Sequence, residues 1–459
     1  MSESPKLERG LGLLEATSLN MIEMVGIGPF IVIPLVIKAM HGPQALVAWA
    51  AGGVLALFDG CVWAELGAAM PEAGGSYVFL REAYGPRWGR LMSFLYIWQT
   101  LFQAPLVIAS GALGFAAYSM FLFAKAGTAG AWVGRLGLHA DGIVAAGVIV
   151  LVVALLYRRI TQVGKISVVF WAIVVGTIAW LIAGGIGRVG QSGIFERSSG
   201  LWDLSVLLYA GLGHATVQTV YSYLGYYNVC NLGAEMKNPE KNIPRAIFIS
   251  IVGILALYLL MQASILSVVP WQEAQNTPFI VSTFVERAFG ANWATFATGM
   301  ILVVAVGSLF SATLGYSRVP YAAAVDGNFF SVFGRVHPTK RFPFVSLLAL
   351  GATAILFSLL FKLVVVIRAI LAMRCLIQFM GQAVGLVVLR RRRGAAAMPF
   401  RMWMYPLPVA IAILGWAGIF ISTGKRPMIA SLGATFVGIL VYLVRASHLR
   451  QWPFKEAVE

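Results

Sequence analysis

The sequence predicts an all-α integral membrane protein with twelve transmembrane helices. Of its 459 residues, 59% are hydrophobic and only 11% are charged, whereas a soluble globular protein carries roughly 25% charged residues. Stretches of about 20 apolar residues, long enough to cross a bilayer as a helix, recur along the whole chain. The first and the sixth stretch are interrupted by glycine. This composition excludes a soluble enzyme, a disordered chain and a disulfide-stabilised scaffold.

Twelve apolar segments account for most of the chain. The third, sixth and eighth exceed one crossing, so we expect them to tilt, kink or project into water. The polar N-terminus lacks the pattern of a cleaved signal peptide, so the first segment is expected to be retained. Three cysteines lie in apolar surroundings without the spacing of a disulfide framework or a zinc site. The segments are 14–39, 43–69, 88–124, 140–157, 163–187, 204–233, 245–270, 291–322, 343–361, 364–389, 405–423 and 427–444.

Lysine and arginine are distributed unevenly between the two sides of the predicted membrane. With a cytoplasmic N-terminus, 23 of the 34 basic residues fall on the cytoplasmic side and ten on the opposite side. This distribution follows the positive-inside rule. The tails, residues 1–13 and 447–459, are therefore both expected in the cytoplasm. The net charge of +16 is explained by topology, and no nucleic-acid partner is expected.

The first segment contains Gly26-Ile27-Gly28-Pro29, with Pro34 shortly after. Glycine weakens a helix, and proline removes a donor and clashes with the preceding turn. Unpaired backbone is costly in hydrocarbon, so such a break persists where it lines a cavity or a site. A half-helix that begins at the break would direct free N–H groups and a positive dipole end toward a carboxylate. The alternative is a packing kink in which glycine admits close helix contact.

The sixth segment contains a second interruption, at Gly225 within the run from Tyr221 to Asn228. Tyrosine at membrane depth usually has a hydrogen-bond partner or a wet cavity, and the alternative is a core aromatic cluster. Five segments separate the two breaks, so the second unit enters the membrane from the opposite side. Interrupted helices at matching positions of two halves indicate an inverted repeat with its site at the repeat interface.

Three titratable residues within the segments are candidates for coupling: Glu23, Asp59 and His214. Glu23 precedes the glycine motif by one turn and could hold an amine or carry a proton, because a carboxylate at this depth is expensive. The alternative is a carboxylate satisfied by neighbouring hydroxyls. Functional and structural roles are equally expected for Asp59. His214 titrates in a suitable range, but a lone histidine is more often a satisfied core residue.

Polar side chains also recur at helical spacing. Arg374, Gln378 and Gln382 are spaced to share one face of the tenth segment. This face is expected to be buried, either partnering a carboxylate or stabilising packing. Gln103, in the third segment, could reach a substrate.

Six groups of motifs occur in order along the chain. They are Gly12–Thr17 with Gly26–Phe30; Ala64–Gly67 with Pro71, Gly74–Tyr77 and Arg81–Gly85; Glu235–Ala246; Gly315–Arg318 with Asp326–Phe330 and His337-Pro338; Gln378–Gln382 with the arginine run; and Arg401–Pro408. Together they resemble permeases of the amino acid–polyamine–organocation (APC) superfamily, and within it bacterial relatives of the L-type amino acid transporters. The run from Glu235 to Ala246 is the most specific.

The resemblance implies a leucine-transporter-like fold of two inverted five-helix units, residues 14–190 and 200–390, followed by two further helices within 403–446. It implies sodium-independent movement of amino acids or related amines by alternating access. It also implies that the first break binds the substrate carboxylate, whereas the sixth segment binds its amino group and side chain. With Gln103, the expected substrate-binding residues are Gly26, Ile27, Gly28, Tyr221, Ser222, Tyr223, Leu224, Gly225 and Tyr226.

Two departures from the family pattern bear on mechanism. Ile27 stands where the motif usually has a small polar residue, so a hydroxyl contact is lost. Many members carry a lysine in the fifth segment, but here no ionisable residue lies between Lys165 and Arg188. Proton coupling through such a lysine is therefore not expected.

The sequence thus predicts a secondary transporter for amino acids in the plasma membrane, a proton symporter or an exchanger, monomeric or homodimeric, without cofactor or metal. Tyr223 and Tyr226 favour a neutral or aromatic substrate, whereas Glu23 and Asp59 favour a cationic amino acid or a polyamine. The alternatives from another class are a channel, which would show conductance far above carrier turnover, and a transporter-like sensor. An enzyme is not expected, because no nucleophile–base or metal constellation is present.

Overall fold

The computed structural model describes residues 7–125, 140–191, 211–277, 279–360 and 371–454. Within these ranges regular structure is helical, and β pairing is limited to isolated bridges between Leu11 and Met236 and between Ala73 and Leu232. The predicted starts of the second repeat at 200, of the sixth segment at 204 and of the tenth at 364 lie outside the described residues. Residues 1–6 and 455–459 of the two predicted tails do so as well.

The first half of the chain begins with a helix pair separated by the glycine motif. Pro29 lies in the first turn of the second helix. Backbone N–H groups there have no partner within the helix, so proline, which has no N–H, costs no hydrogen bond at this position. The helices are α1 (Leu13–Met24), α2 (Gly28–Met40), α3 (Ala45–Ala69), α4 (Ser76–Ala83), α5 (Gly85–Lys125), α6 (Ala140–Leu156) and α7 (Ile160–Gly185), which continues into a 3₁₀ turn (Ile186–Gln191).

The second half contains short helices between the long ones. The helices are α8 (Gly211–Tyr223), α9 (Asn228–Asn231), α10 (Pro239–Val268), α11 (Trp271–Ala274), α12 (Ile280–Phe289), α13 (Ala291–Tyr316), α14 (Arg318–Val325), α15 (Phe344–Leu360), α16 (Gln382–Arg393), α17 (Leu407–Ser422) and α18 (Lys425–His448). Three 3₁₀ turns are also present (Gly233–Glu235, Ser331–Gly334 and Ala395–Ala397). A π turn (Cys375–Gly381) connects helical residues 371–374 with α16, so that Leu371–Arg393 forms one long helix.

Among the described residues, seven helices are long and apolar enough to cross a membrane, and the α1–α2 pair makes an eighth candidate. Helices α6, α15 and α17 are apolar but shorter. Each of the twelve predicted segments contains one of these helices or α8. Several crossings are thereby supported, whereas the count of twelve and the inverted repeat stay predictions.

The helices that carry the two breaks lie inside the bundle. α1 packs against α7, α10 and α13, and α8 packs against α2 and α3. α18 lies at the periphery of the bundle, since only 17% of its most apolar stretch is buried. The breaks are therefore surrounded by protein on several sides, which is the environment that irregular backbone at membrane depth requires.

An aromatic column connects the second break with the π turn. The rings of Trp63 and Tyr227 stack with centroids 4.3 Å apart, and those of Phe379 and Trp416 stack at 3.7 Å. Tyr227 and Phe379 meet edge to face at 5.8 Å. This packing fixes the π turn next to the residues that follow Gly225.

Two buried ion pairs connect segments that are distant in the chain. The fully buried Glu235 accepts hydrogen bonds of 2.8 and 2.9 Å from Arg318. Its backbone carbonyl accepts from the N–H groups of Gly10 and Leu11, so the N-terminal segment is attached here. Glu65 accepts at 2.6 Å from Arg390.

Candidate functional site

A cavity of about 60 Å³ lies where the two helix breaks meet. Small-molecule sites typically measure about 300–1,000 Å³, so this cavity has to widen before it can take up a substrate. Its wall combines backbone of both breaks with two charged side chains. Of the residues that the sequence singled out, the wall includes Glu23, Gly26, Ile27, Gly28, Tyr221, Ser222, Leu224 and Arg374. Ser308 of α13 also lines it.

The first break leaves backbone donors unpaired in residues that line this cavity. α1 and α2 are bent by 46° relative to each other. Within the described structure, the N–H groups of Gly26, Ile27 and Gly28 form no backbone hydrogen bond. They lie at the N-terminal end of α2, where the helix dipole adds positive potential. Donors in this arrangement suit an anionic oxygen such as a carboxylate.

Glycine is needed in the first break because neighbouring helices approach closely. A Cβ on Gly26 would lie 2.6 Å from the hydroxyl of Ser308 on α13. A Cβ on Gly28 would lie 3.2 Å from the ring of Tyr221 on α8. A larger side chain at either position would therefore fill the cavity or displace its wall.

The second break has a backbone conformation that favours glycine. Gly225 has φ +120°, and a Cβ there would lie 2.7 Å from Cγ of Glu23. α8 ends at Tyr223, and the chain turns through hydrogen bonds from Leu224 N to Tyr221 O and from Asn228 N to Gly225 O. Residues 224–227 thus form an unwound segment packed directly against α1.

Two side chains that the sequence did not single out hold the breaks together. Asn20 donates to the carbonyl of Tyr226 at 2.6 Å and accepts from the amide of Val229 at 3.0 Å. The hydroxyl of Tyr258 lies 2.8 Å from the carbonyl of Met24 and 3.0 Å from that of Ser222. These groups replace backbone bonds lost where the helices unwind. The only signal in the sequence is a polar residue at membrane depth.

The cavity wall contains one carboxylate and one guanidinium among the described residues: Glu23 and Arg374. The Oε2 atom of Glu23 is buried and has no hydrogen-bond partner in the described protein, and the same holds for the hydroxyl of Ser222. Polar atoms left unsatisfied beside a cavity are candidates for ligand contacts.

Several other predicted residues lie outside the cavity wall. The hydroxyl of Tyr223 donates to the carbonyl of Trp49 at 3.0 Å, and that of Tyr226 donates to Asp59. Asp59 is thus buried beside Tyr226 rather than in the cavity. His214 lies on an exposed part of α8, two turns before Tyr221.

Gln103 is connected to the cavity through Arg374. With its amide oriented so that the oxygen faces the guanidinium, Gln103 accepts from Nε of Arg374 at 2.6 Å. It is buried and does not line the cavity. Among the described residues, no group of three or more histidine, cysteine, aspartate or glutamate side chains could hold a metal ion.

The amino acid permease family matches residues 11–443 of the chain. Cationic amino acid transporter 4 of Mus musculus is 26% identical over 401 residues, which are 86% of this chain and 62% of that protein. The serine/threonine exchanger SteT of Bacillus subtilis is 27% identical and covers 90% of this chain and 91% of its own. The branched-chain amino acid permease BcaP of the same species is 22% identical, with 96% and 94% covered.

The chain spans less than two thirds of the length of the mouse and human cationic amino acid transporter 4 proteins, and nearly the full length of the two bacterial ones. The family match covers almost every described helix. The resemblance found in the short motifs is therefore confirmed. The chain belongs to the amino acid permease family within the APC superfamily and is a multi-pass membrane protein.

Proposed function

We propose that this permease is a secondary active transporter that carries amino acids across the plasma membrane by alternating access. The observation that carries the proposal is the cavity between the two breaks, whose wall includes the unpaired backbone donors of Gly26, Ile27 and Gly28. A zwitterion would place its carboxylate on these donors and its ammonium group against the carbonyls of the unwound segment 224–227. The names of the bacterial relatives, an exchanger and a permease for amino acids, support this substrate class.

Alternating access requires closure on both sides of the site. On one side, the hydroxyl of Tyr221 lies 3.2 Å from that of Ser110 on α5. On the other, Glu235 holds Arg318 and the N-terminal segment. We propose that α1, α2, α3, α8 and α10 rock against the remaining helices and open one closure at a time, with inverted five-helix units formed by 14–190 and 200–390.

Transport is proposed to be sodium-independent, by proton symport or exchange, with both termini in the cytoplasm. Glu23 supports a proton-linked mechanism, because it is a carboxylate in the cavity wall with an unpaired oxygen. Replacing sodium by choline should leave uptake unchanged, and a proton gradient or internal amino acid should stimulate it.

The site assignment is tested by Gly28→Leu in proteoliposomes with a panel of radiolabelled amino acids. The new side chain would meet the ring of Tyr221, so uptake should fall about tenfold or more, which corresponds to about 1.4 kcal/mol. Gly433→Leu on α18 is the matched control, because nothing lies within 4 Å of a Cβ at that position. Equal uptake by the two variants would show that the substrate does not bind in this cavity.

A cationic amino acid or a polyamine is the second candidate substrate. Glu23 in the cavity wall favours it, as does the name of the mouse relative. If Glu23 holds the cationic group, Glu23→Gln should lower uptake of lysine or putrescine much more than uptake of alanine. A larger effect on alanine would reject this candidate.

A further inference from the structure

Arg374 is a buried cation that has no carboxylate of the described residues in direct contact. The residue is 1% exposed, yet no carboxylate oxygen of the described residues lies within 4.0 Å of its guanidinium. Its partners are neutral: the hydroxyls of Tyr227 and Tyr316 and the amide of Gln103. A cation held inside a membrane bundle by neutral groups is costly. A purely structural arginine would be expected to have a carboxylate beside it, as Arg318 has in Glu235.

Arg374 also borders the space that a ligand would enter. It belongs to the wall of the cavity at the two breaks, together with Gly26, Ile27 and Gly28 of the first break. Its neutral partners orient the planar group without neutralising it. A guanidinium has five N–H donors, and these partners occupy four of them: both on Nη2, one on Nε and one on Nη1. One donor and the full positive charge therefore remain for an anionic group.

Glu23 supplies the second charge of the same cavity. Around it, Ser308 on α13 donates to the backbone carbonyl of Glu23. Tyr221 and Ser222 on α8 and Arg374 line the same cavity. α7 adds no ionisable side chain between Lys165 and Arg188. Tyr258 on α10 donates to backbone carbonyls. Arg374 is therefore the cation that balances an ionised Glu23.

We propose, building on the proposed function, that Arg374 binds an anionic side chain of the substrate, and that the permease transports acidic amino acids together with a proton carried by Glu23. With Glu23 ionised, the two cavity charges cancel. When Glu23 takes up a proton, Arg374 is left with a net positive charge, which the side-chain carboxylate of aspartate or glutamate cancels. Substrate and proton thus bind together, because each keeps the cavity electrically neutral.

The same charges disfavour the other substrate classes. A cationic side chain would enter a cavity that already contains a guanidinium, and like charges at short range repel strongly in a low dielectric. A neutral side chain would leave Arg374 uncompensated whenever Glu23 is protonated. An anionic side chain avoids the repulsion and also compensates the charge of Arg374.

The first test uses the unmodified protein and two pairs of nearly isosteric amino acids. Binding of aspartate and asparagine, and of glutamate and glutamine, is measured on purified protein at mildly acidic pH by competition against any transported amino acid. We expect the acidic member of at least one pair to bind ten times or more tightly, a ratio of the size that a charge-assisted pair supplies. Equal binding, or a preference for the amides, overturns the proposal.

The second test uses variants and compares ratios within each protein. Arg374→Gln should remove the preference of aspartate over asparagine, whereas Arg374→Lys should retain part of it, because the positive charge is kept. In the unmodified protein, aspartate binding should weaken from acidic to neutral pH, and this weakening should be absent in Glu23→Gln. If Arg374→Gln still prefers aspartate over asparagine, Arg374 does not bind the acidic side chain. If aspartate binding by Glu23→Gln keeps its pH dependence, Glu23 does not carry the proton.

The outcomes separate this inference from the proposed function. If no amino acid is transported, the proposed function itself fails. If amino acids are transported in a manner sensitive to Gly28→Leu but aspartate and glutamate are not preferred, only the assignment of Arg374 fails. The unmodified protein decides between these results even if the Arg374 variants do not fold.

Discussion

Replacing Glu235 by glutamine should destabilise the protein far more than the same replacement at Glu273. Both carboxylates pair with an arginine, but Glu235 is 0% exposed and Arg318 2%, whereas Glu273 and Arg287 are 44% and 41% exposed. Removing one partner of a buried pair strands the other charge at a cost of about 3–5 kcal/mol. Removing one partner of an exposed pair costs about 0–1 kcal/mol.

The difference can be read from thermal unfolding of the purified variants in one detergent. At about 2 °C for each kcal/mol in a large domain, Glu235→Gln should lower the midpoint by roughly 6–10 °C, and Glu273→Gln by roughly 2 °C or less. Adding Arg318→Met to Glu235→Gln should recover part of the loss, because the stranded charge is then removed. Equal midpoints for the two single variants, or a further drop in the double variant, would refute the reasoning.

Two further predictions concern the breaks. Asn20→Ala leaves the carbonyl of Tyr226 and the amide of Val229 unpaired, at about 1–3 kcal/mol for each group. Thermal unfolding should show a clear loss relative to Asn242→Ala, which removes one solvent-exposed hydrogen bond to the carbonyl of Lys237. A loss no larger than in this control would contradict the bridging role of Asn20. Ile27→Ser replaces a large side chain of the cavity wall by a small one. In competition assays, amino acids with longer apolar side chains should therefore gain about tenfold in affinity relative to alanine. An unchanged order of affinities would contradict a contact between Ile27 and the substrate side chain.

The sequence was sufficient for the elements that depend on local chemistry. Two glycines flanking Ile27, followed by proline, cannot continue a helix, so the first break follows from the residues themselves. The same holds for Gly225, which has a positive φ in the structure. The composition and the order of the motifs also pointed to the family that residues 11–443 match.

What the sequence could not supply is the contact between segments distant in the chain. Asn20 and Tyr226 are 206 positions apart, and Arg374 and Tyr227 are 147 apart; no local pattern brings them together. For the same reason, Tyr223 and Tyr226 were expected in the substrate site, although their hydroxyls reach Trp49 and Asp59. Tyrosine signals a polar partner at depth, but the neighbouring helices decide which one.

The π turn at Cys375–Gly381 shows that the direction of a side chain can depend on a residue count. Gln382, just after the turn, is bound to Ser76, and Arg390 to Glu65, so α16 is anchored at two points. Removing any one residue of the turn would restore ordinary helix and rotate the preceding residues by about 100° relative to α16. Arg374 would then point away from the cavity, although the residue itself is unchanged. In the evolution of such permeases, a single in-frame deletion here could therefore erase a charge from the binding site as completely as a substitution of the arginine.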